Sequence, residues 1–214
     1  MENNTNNDAL TSFVSKVISY CKTNAKVLLS CVVVIAVVWA GVAFLLAKQE
    51  KEQQAAWQQY YQVQVALVTQ GQQQAASAVE SLKAAYPDSD AAYYAQLMLA
   101  DLLFTQENFA QAADIYQALS NAKNAYVRTI ATLSLAQAQQ ATQNYAASIQ
   151  TAQDFIAHNP SSFALPQAYF TLALSQELSG DKTAALETYK KILENYTKTY
   201  FGVFAKDKIA VLTK

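Results

Sequence analysis

Between Lys26 and Lys48 the chain runs for 21 residues, Val27 to Ala47, without a single charge. A helix of that length rises about 31 Å, which matches the ~30 Å hydrocarbon core of a bilayer. Four readings of this stretch compete. A cleaved signal peptide carries an apolar core of roughly 7–15 residues followed by a small-x-small site, and the end of this stretch, FLLAKQE, offers none. Leu28-Leu29-Ser30-Cys31 resembles a lipoprotein signal, but its cysteine precedes the apolar run instead of following it. A buried core helix of this length normally carries some polar residue. The expectation is therefore an uncleaved signal anchor, a single membrane span at residues 27–47.

This span sets the domain plan. Residues 1–26 form a short tail, and residues 48–214 form the remainder, long enough for one compact domain or a short repeat array. Residues 1–11 are polar and rich in Asn. From Ser12, a candidate N-cap, Phe13, Val17 and Tyr20 share one face of an amphipathic helix. That face suits either a membrane surface or a simple lead-in to the span. Lys16, Lys22 and Lys26 precede the span, whereas Lys48 and Lys51 follow it. Counted by the positive-inside rule, this places the N-terminus inside and the large domain across the membrane, in the periplasm of a bacterium.

The large domain reads as all-α. Only 4 Gly and 3 Pro punctuate the chain, while Ala, Leu and Gln, which lose little freedom in a helix, abound. Residues 49–74 hold 11 glutamines interleaved with Trp57, Tyr60, Tyr61, Val63, Val65 and Leu67, so the membrane helix is expected to continue into water. Gly71 allows a turn. A second helix carries Ala75, Val79 and Leu82 and stops at Tyr86-Pro87, after which Asp88-Ser89-Asp90 provides the next N-cap.

Beyond this point the pattern recurs. Leu99-Ala100 is followed by Leu103, Phe109, Ala112, Tyr116 and Leu119. Leu135-Ala136 is followed by Tyr145, Ser148, Ala152, Phe155 and Pro160. Leu172-Ala173 is followed by Gly180, Ala185, Leu186, Tyr189 and Ile192. The anchors Ala100, Ala136 and Ala173 stand 36 and 37 residues apart. Each unit thus has a small residue where two helices touch, an aromatic or Gly at the turn, a second small residue, and a large residue that closes it.

These units resemble the tetratricopeptide (TPR) repeat, and residues 56–87 resemble a degenerate first copy. The resemblance implies an αα-repeat solenoid with repeats at 56–87, 93–120, 129–160 and 166–196. The segment 199–213 then forms a C-terminal capping helix, with Phe201, Phe204, Ala205, Ile209 and Leu212 inward and Lys206, Asp207 and Lys208 outward. By the family's pattern, the first helix of each pair lines a partner groove. That groove would comprise Tyr94, Leu97, Asp101, Phe104 and Thr105, then Ile130, Leu133, Gln137 and Gln140, then Gln167, Phe170, Leu174, Glu177 and Leu178. Such a mixed apolar and amide lining suits an extended peptide, a partner helix or an unfolded chain. The plainer reading is that many of these residues simply pack against the next helix.

Catalytic chemistry is not legible in the chain. His158 is the sole histidine, and Cys21 and Cys31 both lie in or before the span, so neither a His-dependent nucleophile nor a His/Cys metal site can be assembled. There is no phosphate-cradling glycine loop. Asp88 and Asp90 read as helix caps. Arg128 is the sole arginine and the net charge is −1, which does not suit nucleic acid. Residues 80–154 are net −4 and residues 182–214 net +4, an asymmetry that solvated outer faces account for. No enzyme, cofactor or metal is expected.

A short tail, the span with Trp39 and Gly41, and TPR-like repeats starting soon after it together resemble the bacterial ancillary Sec translocon subunit family. This resemblance implies an inner-membrane adaptor whose partners are translocon subunits, periplasmic chaperones or unfolded client chains. The alternative expectation is a structural scaffold for envelope or cell-division assembly.

Overall fold

The computed structural model describes residues 12, 15, 16, 19, 23–69 and 71–213. The expected face of Phe13, Val17 and Tyr20 lies outside the described residues. Among the described residues there are nine consecutive helices and no strand: α1 (Ala25–Thr69), α2 (Gln72–Ala85), α3 (Asp90–Thr105), α4 (Phe109–Leu119), α5 (Ala125–Ala141), α6 (Tyr145–His158), α7 (Leu165–Leu178), α8 (Lys182–Tyr196) and α9 (Tyr200–Leu212). The chain divides into two units, residues 1–52 and 53–214.

The first unit holds the apolar stretch. Among the described residues one helix is long and apolar enough to cross a membrane, with a window of mean hydropathy 1.7 of which nothing is buried. Residues 33–50 are all exposed, including Trp39 and Phe44. A helix apolar on every side and covered by nothing suits a lipid environment far better than water.

The second unit is built from helix pairs whose buried positions form columns at the repeat spacing. Val63, Ala100, Ala136 and Ala173 are all buried at the first crossing of a pair. Ala75, Ala112, Ser148 and Ala185 meet them from the second helix, each with essentially no exposed surface. Small residues are required there because they let the two backbones approach closely. The next column is Val79, Tyr116, Ala152 and Tyr189, and the last is Leu82, Leu119, Phe155 and Ile192, again all buried. One turn of helix separates successive columns, so each second helix presents a continuous inward stripe. The C-terminal part of α1 therefore acts as the first helix of the first pair, with Ala56 and Ala66 also buried.

The tight turns within pairs repeat as well. After α3, α5 and α7 the chain passes through a left-handed residue: Glu107 at φ 63°, Gln143 at φ 61° and Gly180 at φ 93°. In each turn the following residue closes back on the helix, Asn108 N–H to Leu103 O at 2.9 Å, Asn144 to Gln139 at 2.8 Å and Asp181 to Gln176 at 2.9 Å. This is the Schellman closure that satisfies otherwise orphaned carbonyls. In the second and third turns the side chain of the same residue then caps the next helix. Asn144 Oδ1 accepts from Ala147 N–H at 3.4 Å, and Asp181 Oδ1 accepts from Ala184 N–H at 3.0 Å. Helix α3 starts on Ser89, whose hydroxyl accepts from Ala92 N–H at 3.1 Å.

The last helix is only partly a polar cap. Gly202 and Ala205 are buried, but Tyr200, Val203 and Val211 are exposed and Phe204 is 40 % exposed. Lys208, expected on the outer face, is half-buried and donates to Glu177 Oε1 at 2.8 Å.

Candidate functional site: the groove of the first helices

The first helices of successive pairs, α3, α5 and α7, enclose a groove of about 320 Å³. Phe104, Gln137, Gln140, Phe170, Leu174 and Leu178 line it, joined by Ala141 and Thr171. Helical geometry brings them together. Phe104 sits in the last turn of α3, Gln137 and Gln140 share a face of α5, and Phe170, Leu174 and Leu178 follow at four-residue spacing along α7.

Each wall is held from behind. The Phe104 ring meets Phe109 edge-on at 5.0 Å, which ties the end of α3 to the start of α4. Phe170 leans on Tyr189 at 6.0 Å, Phe201 at 5.6 Å and Phe204 at 6.2 Å. Such offset aromatic contacts fix a ring in place, so one face of Phe170 is packed while the other borders the groove. The Gln140 amide donates to Ser175 Oγ at 2.8 Å, and Ser175 in turn shares a 2.8 Å hydrogen bond with Ser148. Ser148 also donates to Ala136 O at 2.7 Å. This chain of hydroxyls, buried between α5, α6 and α7, orients the Gln140 side chain at the groove.

The remaining candidates have other duties. Leu133 is fully buried and packs with Phe155, Ala164 and Ala168. Leu97 is buried, and Ile130 packs half-buried against the same core. Tyr94 lies 6.0 Å from Trp57. Asp101 accepts from the Tyr116 hydroxyl at 2.6 Å, and the Thr105 hydroxyl donates back to Asp101 O at 2.8 Å. Glu177 accepts from the Tyr189 hydroxyl at 2.9 Å as well as from Lys208, so its carboxylate ties α7 to α8 and α9. Gln167 lies away from the groove, beside Phe163 and Tyr200. Thr171 and Ala141 also face the groove, a place the sequence does not mark, because a small residue in a helix interior gives no signal of facing a groove rather than a neighbour.

Burial and the facing carboxylates act on two tyrosines. Desolvation, then the hydrogen bond and charge of Asp101, push the Tyr116 phenol well above its usual range. Desolvation and then Glu177 do the same to Tyr189. Both groups are thereby held as neutral donors and serve as struts between helices. Among the described residues no three His, Cys, Asp or Glu side chains converge as metal ligands would. The groove offers apolar walls and amides, a chemistry of binding.

The repeat columns, the turns and the groove have a counterpart in a known family. The profile of the tetratricopeptide repeat-like domain matches residues 19–200. No curated protein matches the chain. Repeats of this kind generally serve as non-catalytic platforms for protein–protein interaction. With more than four-fifths of its length inside that match, the chain belongs to the tetratricopeptide repeat-like domain family.

Proposed function

We propose that the chain is a non-enzymatic adaptor of the bacterial inner membrane, which holds extended segments of other proteins in the groove between Phe104 and Phe170. The observation that carries this reading is the lining itself. Two phenyl rings and two leucines form apolar walls, and the Gln137 and Gln140 amides can meet a peptide backbone. An extended chain needs apolar pockets for alternate side chains and polar partners for its amides. The groove contains no lysine or arginine, so capture of a chain terminus through its carboxylate is not its mode.

In this reading residues 27–47 span the inner membrane, residues 1–26 are cytoplasmic and residues 48–214 are periplasmic. The anchor raises the local concentration of the groove near the membrane. The partners are subunits of the Sec translocon, the clients are emerging chains, and periplasmic chaperones receive them. What supports the translocon assignment is the combination of tail, anchor and repeats.

The experiment is site-specific photocrosslinking from Phe104 and Phe170 in native membranes, read by mass spectrometry. Adducts with translocon subunits or nascent chains support the reading. Adducts confined to division or outer-membrane assembly proteins would replace it with a scaffold. Topology has its own readout, a Ser161→Cys variant in a Cys21→Ser, Cys31→Ser background. A membrane-impermeant maleimide should label it once the outer membrane alone is opened. Labelling that requires opening of the inner membrane would sink the periplasmic assignment.

A further inference from the structure

We propose that Gln140 holds out its side-chain carbonyl oxygen as a fixed acceptor, so that the groove selects segments with a backbone N–H opposite it and rejects proline at that register. This names what the groove reads in a bound chain and rests on the function proposed for it above.

The sense of the amide follows from counting hydrogens. Ser148 and Ser175 have no exposed surface, and each hydroxyl has one hydrogen. Ser148 Oγ lies 2.7 Å from the Ala136 carbonyl oxygen, which has no hydrogen to give, so Ser148 donates there. The 2.8 Å bond between the two hydroxyls then takes its hydrogen from Ser175. With that hydrogen committed, Ser175 Oγ offers only lone pairs. The 2.8 Å bond between it and Gln140 therefore comes from the amide N–H. Turning the amide over would set Gln140 Oε1 against Ser175 Oγ, oxygen against oxygen. The order Gln140 to Ser175 to Ser148 to Ala136 runs one way, pinned at its far end by a backbone carbonyl inside α5. Ser175 and Ser148 are thus positioning residues for Gln140.

With Nε2 committed to Ser175, Gln140 Oε1 accepts no hydrogen bond from another described side chain. It is not sealed in either, because among the described residues no buried side-chain polar atom lacks a partner. Gln140 lines the groove with Phe104, Phe170 and Leu174, so the groove is where this acceptor is open. Gln137 lines it too, but no hydrogen-bonded chain stands behind its amide, which can turn to suit either a donor or an acceptor. An extended chain offers both N–H and C=O groups along its edge. An N–H set opposite Gln140 pairs with Oε1. Proline has none, and it would leave the acceptor covered by apolar groups and unpaired, which costs more than the bond itself contributes.

The test uses the full chain in phosphatidylcholine nanodiscs. Its first arm is the side-chain amide NMR signal of Gln140 without ligand. One of the two protons should be shifted downfield and exchange slowly with water, and this signature should vanish in Ser175→Ala. The second arm is a fluorescein-labelled peptide, Ser-Gln-Phe-Ser-Leu-Ser-Phe-Gln-Ser, with each backbone N–H methylated in turn and binding read by anisotropy. Methylation at one interior position should weaken binding at least about threefold, and proline there should do likewise. In Gln140→Met that penalty should disappear, whereas Gln137→Met should keep it. The proposal alone is overturned if the peptide binds but the penalty survives in Gln140→Met, or if neither Gln140 proton is protected. If the wild-type chain binds none of these peptides, the groove reading fails and the proposal falls with it.

Discussion

The Thr188 hydroxyl donates a 2.8 Å hydrogen bond to Oε1 of Gln176, and both side chains are buried. One repeat earlier, Thr151 makes the same bond to Gln139 at 2.9 Å, but half-buried. A buried polar group deprived of its partner costs about 1–3 kcal/mol. Thr188→Val and Gln176→Leu should therefore each destabilise the array by about that amount. The double variant should cost less than the sum by at least about 0.5 kcal/mol, since each change alone strands the other partner. Urea unfolding followed by circular dichroism measures all three. Strictly additive losses would show that the bond contributes nothing. Thr151→Val, at the more exposed copy, should cost less than Thr188→Val.

Two tyrosines predict an alkaline limit. Tyr116 and Tyr189 have phenols held above the ordinary value by burial and by the carboxylates of Asp101 and Glu177. In the unfolded chain both would ionise near pH 10. A folded value above the unfolded one means that their contribution is complete below about pH 10 and is lost as the pH rises further. Each should steepen the fall by up to about 1.4 kcal/mol per pH unit above that point. Ultraviolet absorbance should show these two phenols ionising only as the fold opens. In Tyr189→Phe the alkaline slope should become shallower, even though the variant is less stable at neutral pH. An unchanged slope would rule out Tyr189 as its source.

The left-handed turns make a paired prediction. Gln143 holds φ at 61° and Gly180 holds it at 93°, at equivalent places in successive repeats. A side chain in this conformation costs roughly 1–2 kcal/mol, which Gly avoids. Gln143→Gly should therefore be neutral or stabilise by up to about 1 kcal/mol. Gly180→Ala should destabilise by about 1–2 kcal/mol, although nothing lies within 4 Å of where the new Cβ would sit. Thermal unfolding decides this, and a stabilising Gly180→Ala would refute the argument.

These turns also mark where the sequence was legible. The columns at Ala100, Ala136 and Ala173 stand out in the sequence because a buried small residue cannot vary far without opening a gap or a clash. The turn itself is out of register when read from residue types. Gly180 lines up by eye with Phe109 and Tyr145, whereas the structure pairs it with Glu107 and Gln143, and pairs the aromatics with Lys182. Two repeats accept a strained non-glycine residue, so the glycine signal appears once in three. The groove was half legible for a related reason. Repeat position selects the inner face of each first helix but not the depth of a residue on it. Leu133 therefore lies in the core and Glu177 in a tie to Lys208, while Phe104, Gln137, Gln140 and Phe170 face the same space.

The attachment of the last helix rests on one glycine. Gly202 is buried in the first turn of α9, where the Thr199 hydroxyl accepts from its N–H at 3.1 Å. A Cβ on it would fall on the Tyr196 carbonyl oxygen and 2.8 Å from that of Thr197. Both obstacles are backbone, so neither can rotate away. Gly202→Ala should push α9 off the end of α8, loosening Phe201 from Phe170 and Lys208 from Glu177. The expected result is faster hydrogen exchange and earlier trypsin cleavage at Lys206 and Lys208, while α3 and α4 stay protected as in the wild type. Because Phe201 and Phe204 brace Phe170, the groove should lose its back wall, and crosslinking from Phe170 should fall more than from Phe104. If exchange in α9 is unchanged, the close approach at residue 202 does not hold this helix in place.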